Sequence, residues 1–127
     1  MKRSRTLITT AVTVAVVGIA VWALAGYFLN DGRVKPPEGC ADDTTFHWYV
    51  EYQLEGEEDP PDVHVAIYDG GDLKFYEMMA VVEIDSGVVR YSYQRTLTLP
   101  DDEYLFRFET FFQHTNTQFG PDVYNCP

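Results

Sequence analysis

The chain has 127 residues and a formal net charge of −11, from 20 acidic and nine basic side chains. A protein this acidic repels the phosphate backbone, so the composition argues against nucleic-acid binding. The length allows one domain of ordinary size together with a short additional segment.

Residues 7–29 contain no charged side chain, and three cations precede them: Lys2, Arg3 and Arg5. At ~1.5 Å per residue, a helix of this length extends ~34 Å and crosses a hydrocarbon core ~30 Å thick. The run therefore predicts a transmembrane signal-anchor helix over residues 7–29, preceded by a basic tail over residues 1–6. Cations beside a span tend to stay in the cytoplasm, which places the N-terminus inside and the rest of the chain outside the cytoplasmic membrane.

A cleaved signal peptide is the alternative, because Ala23-Leu24-Ala25 has the small-x-small pattern of a signal-peptidase site. The apolar run exceeds the ~7 to 15 residues of a usual signal peptide core, which favours retention of the segment as an anchor. The sequence leaves the alternative open.

The predicted span has two further features. Tyr27 and Phe28 fit an aromatic anchor at its outer membrane interface, as Lys2, Arg3 and Arg5 fit the inner one. Small residues and one Trp recur at helical spacing, and such a face allows another transmembrane helix to approach closely. An equally good explanation is that Ala and Gly are common in membrane spans. The face consists of Ala11, Ala15, Gly18, Trp22 and Ala25.

Residues 30–39 carry two Gly and two Pro without apolar periodicity, which predicts a short extended tether. At ~3.1 Å per residue it reaches at most ~30 Å from the bilayer. The only cysteines, Cys40 and Cys126, are expected to form a disulfide outside the cytoplasm. We expect this bridge to clasp the two ends of the domain and to return the C-terminus to its membrane-proximal end. Two metal-binding or reactive thiols are the weaker alternative, since neither has a neighbouring Cys or His.

Between the cysteines the hydrophobic pattern has period two, which indicates strands with one buried face. About seven strands with frequent turn signals predict an all-β, two-sheet sandwich over residues 40–127. The clearest of these strands are residues 46–54, 63–67, 73–78, 80–84, 89–93 and 104–110.

A set of short motifs over residues 63–123 resembles the small immunoglobulin-like modules of archaeal and bacterial surface proteins. These motifs are structural, so the resemblance implies a fold and leaves the function open. The matching residues are Val63-His64-Val65, Asp69-Gly70, Met78 or Met79, Gly87, Tyr91-Ser92-Tyr93, Leu99-Pro100, Tyr104-Leu105-Phe106-Arg107-Phe108 and Gly120-Pro121-Asp122-Val123.

The resemblance implies one structural contact, and the chain departs from it in one respect. Tyr104, four residues after Pro100, is placed to form a tyrosine corner, in which the hydroxyl bonds back to the backbone. The cysteines depart from the usual immunoglobulin pattern, because they lie at the ends of the domain instead of joining the two sheets through the core.

No catalytic, cofactor or metal motif is recognisable, and we expect a protein that is not an enzyme and has no cofactor. His47 and His64 alternate with the apolar residues of their strands, and His114 lies near a loop. The acidic clusters fall in turns and lack the spacing of a calcium-binding loop. They occupy residues 55–62, 69–72 and 101–103.

The leading functional hypothesis is a single-pass accessory subunit of a larger membrane complex, of respiratory, photosynthetic or secretion type. Its expected partners are other transmembrane subunits and the lipid bilayer. A cationic protein is a further expected partner, because residues 31–127 keep six basic and all 20 acidic residues, a net charge of −14. A cell-surface filament subunit with helices in its core is one alternative. A tethered carbohydrate-binding or adhesion module is another. Outward aromatic residues suit either protein or sugar contact, and they are His47, Tyr49, Tyr68, Phe111 and Phe112.

Overall fold

A computed structural model describes residues 28–127, which are all-β. Within this range no helix is long and apolar enough to span a membrane. The basic tail, the small-residue helix face and Tyr27 lie outside the described residues, as does most of the predicted span. Those predictions therefore stay predictions.

Ten strands account for more than half of the described residues. We number them in chain order. They are β1 Arg33–Lys35, β2 Glu38–Cys40, β3 Thr45–Gln53, β4 His64–Asp69, β5 Asp72–Met78, β6 Ala80–Asp85, β7 Val88–Thr96, β8 Tyr104–Glu109, β9 Gln118–Phe119 and β10 Asp122–Tyr124.

The strands form two four-stranded antiparallel sheets and one small parallel pair. The first sheet has the order β1-β3-β7-β6, and the second has the order β9-β8-β4-β5. The pair β2 and β10 lies parallel, with Cys40 opposite Tyr124. Buried side chains of both sheets belong to one hydrophobic cluster, so the sheets share a single core as in a β-sandwich.

Period-two alternation explains the core. In β3, Phe46, Trp48, Val50 and Tyr52 are buried, while the residues between them are partly exposed. Strand β8 repeats the pattern from the other sheet with three buried rings. The predicted strands are thus confirmed in type and, to within three residues at each end, in position.

The predicted tether is wrong, and the domain begins earlier than expected. Residues within 30–39 form β1 and most of β2, so they belong to the sandwich. Leu29 is 7% exposed and makes an antiparallel bridge with Tyr52. Phe28 packs against the core and accepts a hydrogen bond from Gln53 N–H to its carbonyl at 2.7 Å. The last two residues assigned to the span therefore lie in the domain, because the apolar sequence continues from the run directly into the core.

The chain enters at one end of the domain and the disulfide lies at the other. Leu29 pairs near the C-terminal end of β3, whereas Lys35 pairs with His47 near its beginning. The segment leading to Cys40 has therefore run the length of β3, about 27 Å for nine residues. We call the two ends the entry end and the far end. The bridge was expected to hold the C-terminus at the end where the chain enters the domain, and the structure instead has it at the far end.

The predicted disulfide between Cys40 and Cys126 is present, with Cα atoms 5.4 Å apart. It clasps β2 to the segment after β10, as expected of cysteines outside the sheet core. Tyr104 donates from its hydroxyl to the carbonyl of Thr98 at 2.8 Å, the contact expected of a tyrosine corner.

Asp69 organises the acidic turns of the far end. Asp69 is 7% exposed, and its carboxylate accepts hydrogen bonds from the backbone N–H groups of Asp101 and Asp102 at 2.7 and 2.9 Å. The next residue, Gly70, has a positive φ of 60° and donates its N–H to the Glu103 carbonyl at 2.8 Å. A Cβ at Gly70 would meet the Asp102 carboxylate at 2.7 Å, so glycine allows the β4–β5 turn to approach the turn before β8.

Removing the disulfide with the C40A/C126A pair should lower the free energy of unfolding by about 4 to 5 kcal/mol, because the bridge closes a loop of 86 residues in the unfolded chain. Urea denaturation of the variant beside the oxidised protein measures the difference. Equal midpoints would contradict the expectation.

Replacing Asp69 with Ala should destabilise the domain by about 2 to 3 kcal/mol, because two backbone donors lose a charged acceptor. The matched control is Asp72→Ala on the same turn, where the side chain is exposed and the change should be within about 0.5 kcal/mol. Thermal or urea denaturation distinguishes them, and equal effects of the two substitutions would refute this role for Asp69.

Candidate functional site: two exposed apolar surfaces

Exposed apolar side chains concentrate on one side of the sandwich. Of the 11 large apolar side chains that are exposed among residues 28–127, six lie between positions 73 and 84. We call these six the edge surface. They are Leu73, Tyr76, Met78, Val81, Val82 and Ile84.

Chain topology explains this concentration. Strands β5 and β6 are the outermost strands of the second and first sheets, and one residue, Met79, separates them. Met79 is 5% exposed and donates its N–H to the Val63 carbonyl at 2.8 Å, which fixes the point where the chain crosses between sheets. Residues 72–85 therefore form a continuous side of the domain, with one unpaired strand edge in each sheet.

Part of the edge surface faces the interior without being covered. Val81 lies opposite Tyr91 and Ile84 lies opposite Val89, both of which are buried residues of β7. Val81 and Ile84 nevertheless remain 47% and 56% exposed. The interior side of β6 is therefore left partly uncovered by the second sheet.

Strand β6 also has features that limit edge-to-edge pairing with a strand of another molecule. Its register with β7 shifts between Val81 and Glu83, so Val82 occupies a β-bulge. Glu83 accepts a hydrogen bond from Arg90 at 2.9 Å, and the same guanidinium donates to Glu51 at 2.7 Å. The Arg90 pKa is raised, first by the hydrogen bond to Glu51 and then by Glu83.

A shallow groove crosses the outer face of the first sheet beside this ion-paired cluster. Its volume is about 290 Å³, and Val82, Arg90, Glu51, Tyr49 and Arg33 are among the residues that line it. The Arg33 guanidinium lies 5.5 Å from the centre of the Tyr49 ring. The paired charges make this face polar, in contrast to the apolar edge.

The outer face of the second sheet brings together residues that the sequence separates. His64 stacks on Tyr76 at 4.7 Å between ring centres. Glu109 lies opposite His64 in the sheet, and its carboxylate accepts a hydrogen bond from Arg107 at 2.7 Å. His114 makes an isolated bridge with Glu109, and its Nδ1 lies 3.0 Å from the Thr115 carbonyl.

The three histidines do not converge on one centre. His47 stacks on Tyr49 on the outer face of the first sheet, while His64 lies on the outer face of the second sheet. Within residues 28–127, no three His, Cys, Asp or Glu side chains are grouped to hold a metal ion. The outward aromatic residues predicted from the sequence likewise divide between the two faces and one loop, so they form no single stripe.

A second apolar surface lies at the entry end. Phe111 is 91% exposed and packs edge-on against Phe112 at 4.8 Å between ring centres. Phe112 in turn meets Phe28 at 6.3 Å, and Phe28 lies 5.8 Å from Tyr52. We call Phe28, Phe111 and Phe112 the aromatic end.

The acidic connection between β3 and β4, residues 54–63, lies at the same end. Tyr91 donates from its hydroxyl to the Pro61 carbonyl at 2.6 Å, which holds this connection against the core. Burial, followed by Tyr52 and Asp62, raises the pKa of Tyr91 to about 12. The Tyr52 pKa is raised by burial and then by Glu58 and Glu55.

The sequence predicted that Phe111 and Phe112 face outward. It did not predict the edge surface or the aromatic end as clusters. The edge surface depends on which strands are outermost, which alternation does not reveal. The aromatic end depends on Phe28 folding into the domain. The run of Val81, Val82 and Ile84 without a clean polar alternation was the available signal for the first surface.

No family model and no curated protein matches this chain.

Alkaline pH should weaken the domain through Tyr91. Its pKa in the folded state is about 12 against an ordinary value of 10.0. Between these values the unfolded state loses the proton first, so stability is complete below pH 10 and falls with rising pH by about 1.4 kcal/mol per unit.

The measurement is urea denaturation of the protein and of Tyr91→Phe from pH 9 to 12. The variant should lose the Pro61 hydrogen bond, about 1 kcal/mol, and show a shallower decline with pH. Parallel declines in both proteins would exclude Tyr91 as the cause.

Proposed function

We propose that this protein is a single-pass, membrane-anchored accessory subunit of a larger membrane protein complex. In this proposal residues 7–27 cross the cytoplasmic membrane with the N-terminus inside. The acidic sandwich lies on the opposite side and uses its edge surface to contact a partner subunit. The small-residue face that includes Ala15 and Gly18 is available to dock against another transmembrane helix.

The compartment is supported by two independent features. Residues 7–27 are uncharged and follow three cations, which is typical of a signal anchor oriented with its N-terminus inside. The Cys40–Cys126 disulfide is typical of an oxidising compartment outside the cytoplasm.

We further propose that the sandwich is immunoglobulin-like. With β1, β3, β4, β5, β6, β7, β8 and β9 lettered A, B, C, C′, D, E, F and G, the first sheet has the order A-B-E-D and the second has the order G-F-C-C′. This order matches that of an immunoglobulin domain with one added strand, which supports the proposal. The Tyr104 hydrogen bond then falls on strand F, where the tyrosine corner of such domains lies.

The observation that carries the proposed role is the edge surface. Its six apolar side chains belong to the two outermost strands, within residues 73–84, and they are 47% to 59% exposed. Clustered apolar exposure on a small domain marks a contact surface, since burying it releases ordered water.

The partner is expected to be a different, cationic protein instead of a second copy. Residues 28–127 carry a net charge of −14, so two copies repel each other. The bulge at Val82 and the acidic residues Glu83 and Asp85 also discourage pairing between identical edges. A basic subunit with an apolar strip satisfies both the charge and the exposed side chains.

The test is co-purification of the full chain from membranes of its host in mild detergent, followed by mass spectrometry of the accompanying subunits. Val82→Lys should remove the partner, because it places a charge in the apolar contact. Leu99→Lys is the matched control, as Leu99 is 47% exposed and lies outside the edge surface. Thermal denaturation should show that both variants remain folded.

Loss of the partner with Val82→Lys and its retention with Leu99→Lys supports the proposal. Identical partner sets for both variants would reject the edge surface as the contact. A monomer at every detergent strength would reject the accessory-subunit role.

A further inference from the structure

The uncharged run ends at the aromatic end of the domain. Residue 27 is bonded to Phe28, whose ring contacts Phe112 at 6.3 Å. Consecutive Cα atoms are ~3.8 Å apart, so a span that ends at residue 27 ends within one residue of the ring cluster. A membrane crossed by that run would therefore meet this end of the domain first.

The chain is fixed to the sandwich immediately after entry. Asn30 donates its backbone N–H to the Glu51 carbonyl at 3.0 Å, and its side-chain oxygen accepts the Glu51 N–H at 3.1 Å. Gly32 follows with a φ of 70°, and a Cβ there would meet the Phe108 ring at 2.4 Å. The entry segment is thus packed onto β3, and from Phe28 onward no free tether precedes the domain.

Phe111 is the most exposed large apolar side chain among residues 28–127, at 91%. It lies in the connection between β8 and β9, beside Phe112, which is 49% exposed. Exposing two neighbouring phenylalanine rings to water at the end of a domain is unfavourable in free energy. Their burial is favourable at the boundary between headgroups and acyl chains, where membrane-surface proteins bury Trp, Phe and Leu side chains.

We propose that the aromatic end is a lipid-contact surface, in which Phe111 and Phe112 insert into the interfacial region of the bilayer crossed by residues 7–27. This inference rests on the proposed membrane anchor. It adds that the domain is held against the membrane by its entry end. The edge surface then faces sideways, because β5 and β6 are the outermost strands of the two sheets.

The acidic residues at this end make contact with the bilayer depend on the charge of its lipids. The acidic connection contributes Glu55, Glu57, Glu58 and Asp59 near Tyr52 and Phe28. An anionic lipid surface repels these carboxylates at low ionic strength, and salt screens the repulsion. Insertion of the rings should therefore be deeper in zwitterionic than in anionic bilayers, with the difference reduced by salt.

The test uses the full chain in liposomes, with Trp22→Phe as the background so that Trp48 is the remaining native indole. Phe111→Trp places a new indole at the proposed contact. Phe119→Trp is the matched control, because Phe119 is 74% exposed and pairs with Leu105 toward the far end of β8. Phosphatidylcholine brominated on its acyl chains quenches only indoles that reach the membrane.

We expect the Phe111→Trp emission to be blue-shifted and strongly quenched by brominated lipid, and the Phe119→Trp emission to be unaffected. Replacing part of the lipid with phosphatidylglycerol should reduce the quenching at low salt. Equal quenching at both positions, or none at position 111 in protein that floats with the liposomes, overturns this inference alone. Failure of the protein to float with the liposomes overturns the anchor itself, and with it the proposed function.

Discussion

The pairing of the entry segment with β3 is the constraint on which the rest of the structure depends. Leu29 bridges to Tyr52, Asn30 bonds twice to the backbone of Glu51, and β1 continues the pairing toward His47. These contacts fix the end at which the chain enters, and hence the end that faces a membrane if residues 7–27 cross one. They also place Cys40 and Cys126 at the opposite end, where the disulfide secures the strand pair β2 and β10.

The sequence was informative where the physical signal is local. Alternation with period two predicted β3 and β8 closely, because one face of each is buried over several residues. The short strands β1, β2, β9 and β10 were not predicted, since two or three residues are too few to show alternation. Backbone pairing with β3 gives residues 33–35 their structure, although their sequence resembles a linker.

The boundary between span and domain was wrong for a related reason. Phe28 and Leu29 are apolar, and an apolar residue suits both a bilayer and a protein core. Hydropathy alone does not separate the two environments. Hydropathy also did not predict the edge surface. The exposure of Val81 and Ile84 depends on the order of the strands in the sheet and not on the chemistry of these side chains.

In the proposed arrangement, the domain rests directly on the bilayer by its entry end. Neutron reflectometry of the full chain in a supported phosphatidylcholine bilayer tests this most directly. The account predicts protein density that begins in the headgroup layer and extends at least ~27 Å, the length of β3, without a water layer between. A hydrated gap approaching the ~30 Å reach of an extended ten-residue tether would contradict it.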